Sequence, residues 1–276
     1  MRKTLAELRS MKAEGKKISM LTAYDSSMSR LLSSCEVDIL LVGDSLGMVM
    51  LGYDSTVPVT MEEMLHHCKA VRRGAPESFI IGDMPFGANH TGERDAVKNG
   101  IRFLKEAGCD AVKLEGGLEM CGVVRALVNA GVPVMAHIGL TPQTASQLGG
   151  YKLQGKGLED ARRLLAEAKG LEEAGAFGLL IECIPDKLAQ VITESISIPT
   201  IGIGAGVYCD GQVLVTHDLL GMFDKFTPKF VKKYADLSPV IKESIQQYNK
   251  EVRAGSYPGS EHSFSSDSDY RQLLNE

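Results

Sequence analysis

Eight short runs of β-branched or apolar residues alternate along the chain with longer helical stretches. Each run ends in polar or glycine residues, and several segments between runs carry apolar residues at the i, i+3, i+4 spacing of an amphipathic helix. The runs cover residues 18–23, 37–42, 79–82, 111–114, 132–136, 178–181, 198–203 and 213–215. The helical segments include residues 93–107, 118–130, 158–174 and 186–195. Helices are expected to end at Gly74, Gly108, Gly131 and Gly175.

This alternation predicts an α/β fold with a parallel sheet covered on both faces by helices. Eight units favour a closed (β/α)8 TIM barrel. The competing fold is a doubly wound open sheet, which usually has fewer strands and a glycine fingerprint after its first strand. Tyr24-Asp25-Ser26-Ser27 stands at that position instead. The segment before residue 18 predicts a short N-terminal amphipathic helix that plugs the barrel floor.

The 276-residue chain shows no linker between residues 18 and 250. We therefore expect a single barrel domain over residues 1–254, since α/β barrels of about 250 residues are common. Residues 255–276 begin with a stretch rich in Gly, Ser, Pro and Asp, and predict a mobile C-terminal tail.

Composition excludes several functional classes. With 30 Lys and Arg against 35 Asp and Glu, the formal net charge is −5, and no basic stripe suited to nucleic acid is present. The sequence contains no run of about 18 apolar residues, so no membrane span is predicted. The first residues lack the apolar core of a signal peptide. The six cysteines form no C-x-x-C pair and no zinc-spaced cluster, which favours a reducing compartment and a cytoplasmic location.

Polar residues gather where the predicted strands end. In a (β/α)8 barrel the carboxyl ends of all strands meet at one mouth, where the chemistry takes place. Lys113 and Glu115 are two residues apart and leave the same face of one strand. The residues expected at the mouth are Asp44, Ser45, Asp83, Lys113, Glu115, His137 and Glu182.

Four carboxylates around one lysine would repel each other unless a cation joined them. Magnesium prefers oxygen ligands and leaves room for water and substrate. We therefore expect Asp44, Asp83 and Glu115 around a divalent ion, directly or through water. Lys113 would neutralise substrate charge or a developing oxyanion, and Glu182 would act as a base.

His137 could ligate the metal or donate a hydrogen bond to substrate. A histidine hydrogen-bonded inside the barrel fits the sequence equally well. His66 and His67 are expected to face solvent, and Cys183 to point into the helical layer. His217 and Asp218 end the eighth strand and are disfavoured as chemical groups.

Three further segments leave alternatives open. The connections over residues 46–60 and 138–157 could be lids, contacts for a second substrate, or plain insertions. The glycine-rich run of residues 198–206 could cradle a phosphate or form a wall without side chains. The wall is favoured because no Lys or Arg is close in sequence.

A divalent ion, a lysine and a separate glutamate suit proton abstraction beside the carbonyl of an α-keto acid. The metal and Lys113 would stabilise the enolate, and Glu182 would remove the proton. The residues themselves do not indicate what the enolate attacks.

A series of motifs in register resembles the ketopantoate hydroxymethyltransferase family from about residue 4 to about residue 264. The motifs include Leu21-Thr-Ala-Tyr-Asp25, Gly43-Asp-Ser-Leu-Gly47, Val57-Pro-Val-Thr60, Asp83-Met-Pro-Phe86, Val112-Lys-Leu-Glu-Gly-Gly117, Ala136-His-Ile-Gly-Leu-Thr-Pro-Gln143, Gly149-Gly-Tyr-Lys152, Ile181-Glu-Cys183, Asp210-Gly-Gln-Val213 and His217-Asp-Leu-Leu-Gly221. The resemblance implies a barrel of the phosphoenolpyruvate/pyruvate type. It also implies hydroxymethyl transfer from 5,10-methylenetetrahydrofolate to 3-methyl-2-oxobutanoate, in pantothenate biosynthesis.

The resemblance further implies roles for individual residues. It makes Asp44, Asp83 and Glu115 metal ligands, and Glu182 the proton acceptor. The keto-acid contacts that it implies are Asp44, Ser45, Asp83 and Lys113. It also implies a homodecamer of two pentameric rings. The alternatives are another magnesium-dependent keto-acid carbon–carbon lyase on the same barrel, or a non-catalytic folate- or keto-acid-binding protein.

Overall fold

The computed structural model describes residues 2–147, 149–223, 225 and 227–274. Eight parallel strands follow one another in sequence order and close into a barrel through pairing of the last strand with the first. The predicted (β/α)8 barrel is thus confirmed, and the open-sheet alternative is excluded. The strands are β1 Ile18–Thr22, β2 Ile39–Val42, β3 Phe79–Asp83, β4 Ala111–Glu115, β5 Val134–Gly139, β6 Gly178–Glu182, β7 Thr200–Ile203 and β8 Gly211–Leu214.

Helices cover the outside of the barrel and flank it at both ends of the chain. They are α1 Leu5–Ala13, α2 Ser26–Ser34, α3 Leu46–Val49, α4 Met61–Gly74, α5 Glu93–Ala107, α6 Cys121–Asn129, α7 Leu158–Glu173, α8 Asp186–Ser195, α9 Thr216–Leu219 and α10 Leu237–Ala254. A short 3₁₀ turn, Leu118–Met120, precedes α6 inside the segment predicted as one helix. None of the helices in the described part of the chain combines the length and apolar character needed to cross a membrane.

Most strand residues are apolar because both faces of the sheet are largely buried. Exceptions are Ser19 in β1 and Gln212 in β8, which are exposed. Every residue of β2, β3 and β4 is buried. Inward-facing side chains such as Ile39, Ile81 and Met135 fill the lower barrel interior. A larger apolar layer lies between the sheet and the surrounding helices. The barrel is therefore a packed core that leaves room for a site only at its upper end.

The predicted N-terminal helix α1 packs against the barrel floor. Thr4 and Glu7 cap its first turn reciprocally, and the buried Leu8 packs among the inward-facing residues. The Lys12 ammonium lies 2.9 Å from an Asp210 carboxylate oxygen, just before β8. The backbone N–H of Ile18 donates to the carbonyl of Asp210 at 2.9 Å. These contacts join α1 to the closure between β1 and β8.

Helices end at or just before all four predicted glycines, and three of these glycines follow the helix as expected. Gly108, Gly131 and Gly175 have φ of +70°, +84° and +102°, which is the left-handed conformation that follows a helix. Helix α4 also ends at Gly74, but Gly74 is its last helical residue and not the residue that follows the helix, as was predicted. A side chain there would overlap the Ser26 carbonyl, so close packing of α4 on α2 requires the glycine.

Helix α10 ends at Ala254, followed by Gly255 in the left-handed conformation. None of the residues of α10 is buried, and nearly all the described residues beyond it are exposed. Short 3₁₀ turns occur at Ser260–His262 and Tyr270–Leu274. The domain boundary at residue 254 and the mobility of the tail stay predictions.

Candidate active site

The strand register brings the predicted polar residues together at the carboxyl end of the barrel. Asp83 on β3 is the register partner of Lys113 on β4. Glu115 at the end of β4 is the partner of His137 on β5. A cavity of about 900 Å³ opens above them and is also lined by Asp44, Ser45 and Glu182. The structure therefore places all seven predicted site residues around one cavity.

Lys113 lies in the centre of the acidic group. Its ammonium donates to both carboxylate oxygens of Asp83, at 2.8 and 2.9 Å, and to Glu115 Oε1 at 3.4 Å. The backbone N–H of Asp44 donates to Asp83 Oδ2 at 3.2 Å. The relative accessibilities of Asp44, Asp83, Lys113 and Glu115 are only 1–4%. The group is a buried ionic network in which one ammonium bridges two carboxylates.

Gln143 is a member of this network that the sequence analysis missed. Its side-chain amide donates to Asp44 Oδ2 and to the Met84 carbonyl, both at 2.9 Å. Its backbone N–H donates to Glu115 Oε2 at 3.0 Å. Gln143 follows a proline in a 3₁₀ turn within the long connection after β5. It therefore fixes two of the expected metal ligands from a loop.

The buried carboxylates differ in their affinity for protons. Burial and the nearby Asp83 charge raise the pKa of Asp44 well above its usual range. Burial also raises the pKa of Asp83, because the opposing attraction of Lys113 does not compensate for it. For Glu115 burial acts in the same direction, but Lys113 and His137 outweigh it and lower its pKa. Burial therefore disfavours the charged forms of Asp44 and Asp83, whereas Lys113 and His137 favour the charged form of Glu115.

The lysine at the centre stays charged. Burial opposes its positive charge, but the carboxylates of Asp83, Glu115 and Asp44 outweigh burial and raise the pKa of Lys113. A permanently charged ammonium at this position can attract an anionic substrate or stabilise an oxyanion.

His137 lies between two carboxylates. Its Nδ1 is 3.5 Å from Glu115 Oε1, and its Nε2 is 3.3 Å from Glu182 Oε2. Neither contact has full hydrogen-bond geometry. Burial and the Lys113 charge lower the pKa of His137, but the two carboxylates outweigh them and the pKa is raised overall. His137 therefore connects the buried network to Glu182.

Ser45 lies on the other side of the cavity. Its hydroxyl is 2.9 Å from the buried Tyr24 hydroxyl, and burial is the main reason that the pKa of Tyr24 is raised. The Asp25 carboxylate, which follows Tyr24, caps α2 by accepting from the N–H groups of Ser27 and Met28. The motif around Tyr24 therefore combines a helix start with support for Ser45.

The donor chemistry fits a divalent cation. Four carboxylates lie around one ammonium in this part of the cavity, and burial is the main cause of the raised pKa of Asp44 and of Asp83. Within the described ranges, no three His, Cys, Asp or Glu side chains form a ready-made cage for an ion. Magnesium does not need one, because it commonly takes one or two carboxylates and completes its shell with water and substrate oxygens.

Two expectations about side-chain direction are wrong. Cys183 lines the cavity instead of pointing into the helical layer, because its φ of +48° breaks the alternation at the end of β6. His67 does not simply face solvent, since its Nδ1 lies 2.6 Å from the Tyr24 carbonyl oxygen. His66 is exposed, as expected.

The long connections and the glycine run form the upper walls of the cavity. Residues 46–60 contribute Met48, Val49 and Thr56, and residues 138–157 contribute Leu140, Pro142, Tyr151, Lys152 and Leu153. A side chain at Gly204 would lie within 2.7 Å of the Phe230 ring, which agrees with a tight wall there. The segment after β8 adds residues that were disfavoured or not predicted for the site: Asp218, Phe223, Pro228, Lys229 and Phe230.

Comparison with solved structures gives the same barrel. The phosphoenolpyruvate phosphomutase from Streptomyces platensis subsp. rosaceus superposes with a TM-score of 0.63 at 15% identity, covering 99% of this chain and 94% of that chain. Phosphonopyruvate hydrolase in complex with oxalate and Mg²⁺ superposes with a TM-score of 0.60 at 13% identity, covering 98% and 94%. These similarities confirm the expected (β/α)8 barrel fold.

Sequence comparison gives much closer relatives. A 3-methyl-2-oxobutanoate hydroxymethyltransferase from Desulfotalea psychrophila is 64% identical over 99% of this chain and 98% of its own length. One from Heliobacterium modesticaldum is 57% identical, covering 98% of both chains. The family model for ketopantoate hydroxymethyltransferase matches residues 2–260. The expectation of a hydroxymethyltransferase enzyme is thereby confirmed, and the chain belongs to the ketopantoate hydroxymethyltransferase family.

Proposed function

We propose that this protein transfers a hydroxymethyl group from 5,10-methylenetetrahydrofolate to 3-methyl-2-oxobutanoate. The products are 2-dehydropantoate and tetrahydrofolate, a step of pantothenate biosynthesis. Near-full-length relatives at 64% and 57% identity carry this enzyme name. The single structural observation that carries the proposal is the buried Lys113 network beside Glu182, at the floor of a cavity large enough for two substrates.

The floor of the cavity is suited to an anionic keto acid. Lys113 supplies a buried positive charge, while Ser45 and its partner Tyr24 supply hydroxyl groups. Asp44 and Asp83 complete this side of the floor. Glu182 at the end of β6 lies across the barrel from Asp44 and Ser45, which follow β2, so a small acid held on the floor lies between them.

Asp44, Asp83 and Glu115 would hold a divalent cation such as Mg²⁺, directly or through water. When bound, this cation supplies positive charge that polarises the keto group and favours its enolate. Gln143 orients Asp44 and Glu115 for this purpose through its amide and its backbone N–H. Support of this kind commonly determines how well metal ligands are positioned.

Glu182 takes the C3 proton of the keto acid. The electrons of the broken C–H bond form the enolate, and the Lys113 ammonium stabilises its negative charge. His137 positions Glu182 through the 3.3 Å contact with its carboxylate. The enolate carbon then forms a bond to the one-carbon unit, whose bonds to the folate nitrogens are broken. One water molecule supplies the hydroxyl group of the product and one proton. This proton and the C3 proton returned by Glu182 are taken up by the two folate nitrogens as their bonds to the one-carbon unit break.

The remaining features of the proposal rest on the composition of the chain and, for its assembly, on the family resemblance. They are action in the cytoplasm, without nucleic-acid or membrane partners, and assembly into a homo-oligomer, specifically a decamer of two pentameric rings. Size-exclusion chromatography with light scattering would test the assembly directly.

Proton exchange at C3 tests the chemistry without folate. The protein is mixed with 3-methyl-2-oxobutanoate and Mg²⁺ in D₂O, and the C3 proton is followed by NMR. We expect metal-dependent loss of this signal with the native protein and almost none with E182Q. The exposed Glu194 provides the control E194Q, which should exchange normally. Exchange at the native rate in E182Q would remove Glu182 from the proposed role.

Addition of 5,10-methylenetetrahydrofolate to the same tube tests the transfer. Formation of 2-dehydropantoate supports the proposal, whereas cleavage of a longer keto acid without folate would favour the alternative carbon–carbon lyase. If the protein catalyses neither the exchange nor the transfer, this result would favour the non-catalytic binding protein.

A further inference from the structure

The part of the cavity farther from the polar floor, called here the outer half and lined in part by Tyr151, Phe223 and Phe230, is not required to bind the keto acid. Cavities of about 300–1,000 Å³ hold drug-sized ligands, and 900 Å³ is far more than a five-carbon acid fills. The polar cluster occupies the floor. The walls above it are mostly apolar and partly aromatic, and include Tyr151, Phe223 and Phe230. Such walls suit a flat, extended second ligand.

Asp218 is the unusual group in this outer half. It lines the cavity, is half-buried, and its carboxylate forms no hydrogen bond or ion pair with any residue in the described ranges. Lys233 attracts it electrostatically without forming an ion pair. A half-buried carboxylate without partners is costly to maintain, so a donor supplied by a ligand would stabilise it.

The position of Asp218 is fixed by the barrel. Helix α9 begins at Thr216, whose backbone N–H donates to the Thr22 hydroxyl at 3.0 Å at the end of β1. The Thr216 hydroxyl donates to the Thr22 carbonyl at 2.5 Å. Asp218 follows two residues later. Hydrogen bonds between Thr216 and Thr22 therefore fix the turn that carries the Asp218 carboxylate. The carboxylate lies on the side of the cavity that contains Tyr24 and Ser45.

Two cations complete the outer half. Lys152 and Lys229 line the cavity, and neither ammonium has an ion-pair partner in the part of the chain that the structure describes. The outer half thus presents one acceptor group, flat apolar walls and unpaired positive charges. A ligand that matches all three has adjacent N–H donors on a planar ring and a negatively charged tail.

We propose that Asp218 binds the pterin ring of the folate co-substrate, with its carboxylate accepting from the ring N3–H and the adjacent 2-amino group. This inference rests on the proposed function and names the residue that recognises the one-carbon donor. The two carboxylate oxygens match two neighbouring donors as they match the donors of a guanidinium. The Phe230 ring lies against Gly204, and the Cys183 thiol is close to the same glycine. Because Cys183 directly follows Glu182, a pterin bound against this wall brings its one-carbon unit toward the proposed base.

Isothermal titration of the full-length protein with tetrahydrofolate, in the presence of Mg²⁺ and keto acid, tests the inference. Because hydrogen bonds to charged groups are among the stronger ones, D218N should raise the dissociation constant about 10- to 100-fold. The loss in folate affinity should exceed any fall in keto-acid exchange at least tenfold. D95N is the matched control, because the exposed Asp95 on α5 is not among the residues that line the cavity, and this variant should bind tetrahydrofolate like the native protein.

A ligand analogue makes the test specific. The native protein should bind 2-desamino-2-methyl-tetrahydrofolate at least tenfold more weakly than tetrahydrofolate, whereas D218N should distinguish the two less than twofold. D218E, which keeps the charge, should recover part of the discrimination. Thermal melting of each variant checks that it is folded.

Equal discrimination by D218N and the native protein would overturn the inference. Equal losses of folate binding and of keto-acid exchange would also overturn it, since they indicate a general disturbance. Failure of the native protein to exchange the keto-acid proton would instead refute the proposed function, so the two failures are distinguishable.

Discussion

Asp83 and Lys113 are register partners on β3 and β4, and the Lys113 ammonium lies within 2.9 Å of both carboxylate oxygens of Asp83. The pair is almost fully excluded from water. Its geometry follows from the backbone register of two neighbouring strands, so neither side chain needs a flexible loop to find the other. A substrate can contact Asp83 and Lys113 only from the cavity that both residues line.

Removal of Lys113 alone should destabilise the protein strongly. K113M leaves the buried Asp83 charge without compensation, which typically costs about 3–5 kcal/mol. Urea denaturation of K113M, D83N and the double variant measures the coupling between the two groups. The double variant should recover most of the loss, and K156M, at an exposed lysine, should change little. Strict additivity of the two single effects would contradict a direct coupling.

Loss of the Gln143 amide should weaken metal use more than folding. Q143L removes the donor to Asp44 but keeps the backbone N–H that binds Glu115. Disturbed support for metal ligands commonly costs about 10- to 100-fold in affinity. The Mg²⁺ dependence of C3 proton exchange should shift by this factor. The exposed Gln147 provides the control Q147L, and an unchanged Mg²⁺ midpoint in Q143L would remove Gln143 from the support role.

The barrel was predictable because its signals are local and repeated. The bounds of α5 and α8 coincide with those predicted, because apolar periodicity and the following residues define both ends. Convergence of Asp44, Asp83, Lys113, Glu115 and Glu182 followed from the rule that parallel strands place their carboxyl ends together. β8 begins two residues before the predicted run, because its first residues, Gly211 and Gln212, carry no apolar signal.

Other site features depend on contacts that sequence periodicity does not encode. Gln143 lies in an irregular turn, and its partner Asp44 is 99 residues away. Cys183 escapes the alternation rule because its backbone enters the left-handed region directly after the strand. Gly74 is required because α4 packs closely on α2 at this residue. The distance between the two helices is determined by tertiary packing, which the local sequence does not indicate.

Cys183 should react slowly despite lining the cavity. Burial, with a contribution from the Glu182 charge, raises the pKa of its thiol to about 12. Since the thiolate is the reactive form, alkylation by iodoacetamide should accelerate about tenfold for each pH unit between pH 8 and 10. Peptide mapping by mass spectrometry follows this rate beside that of the exposed Cys35. Rapid, pH-independent labelling of Cys183 would contradict a protonated thiol.

Asp218 should make stability depend on pH. Burial raises its pKa from 3.8 to about 6, so the folded protein binds this proton more tightly than the unfolded chain. The resulting destabilisation is absent below about pH 4, grows between pH 4 and 6, and is complete above pH 6. For a half-exposed group, solvent screening reduces the cost to about 1 kcal/mol.

D218N should therefore melt about 2 °C higher than the native protein at pH 8 and at the same temperature near pH 4. Differential scanning calorimetry across this range provides the measurement, with D186N as the reference for an exposed carboxylate. A constant difference between D218N and the native protein at all pH values would show that ionisation of Asp218 is not its cause.

The closure of β1 against β8 has a consequence for synthesis of the chain. Lys12 and its partner Asp210 are separated by 198 positions, and β1 pairs with β2 on one side but with β8 on the other. A ribosome must therefore translate most of the protein while one edge of the first strand has no neighbour. Exposed strand edges promote association between chains, so the nascent polypeptide is most vulnerable to aggregation until its last strand emerges.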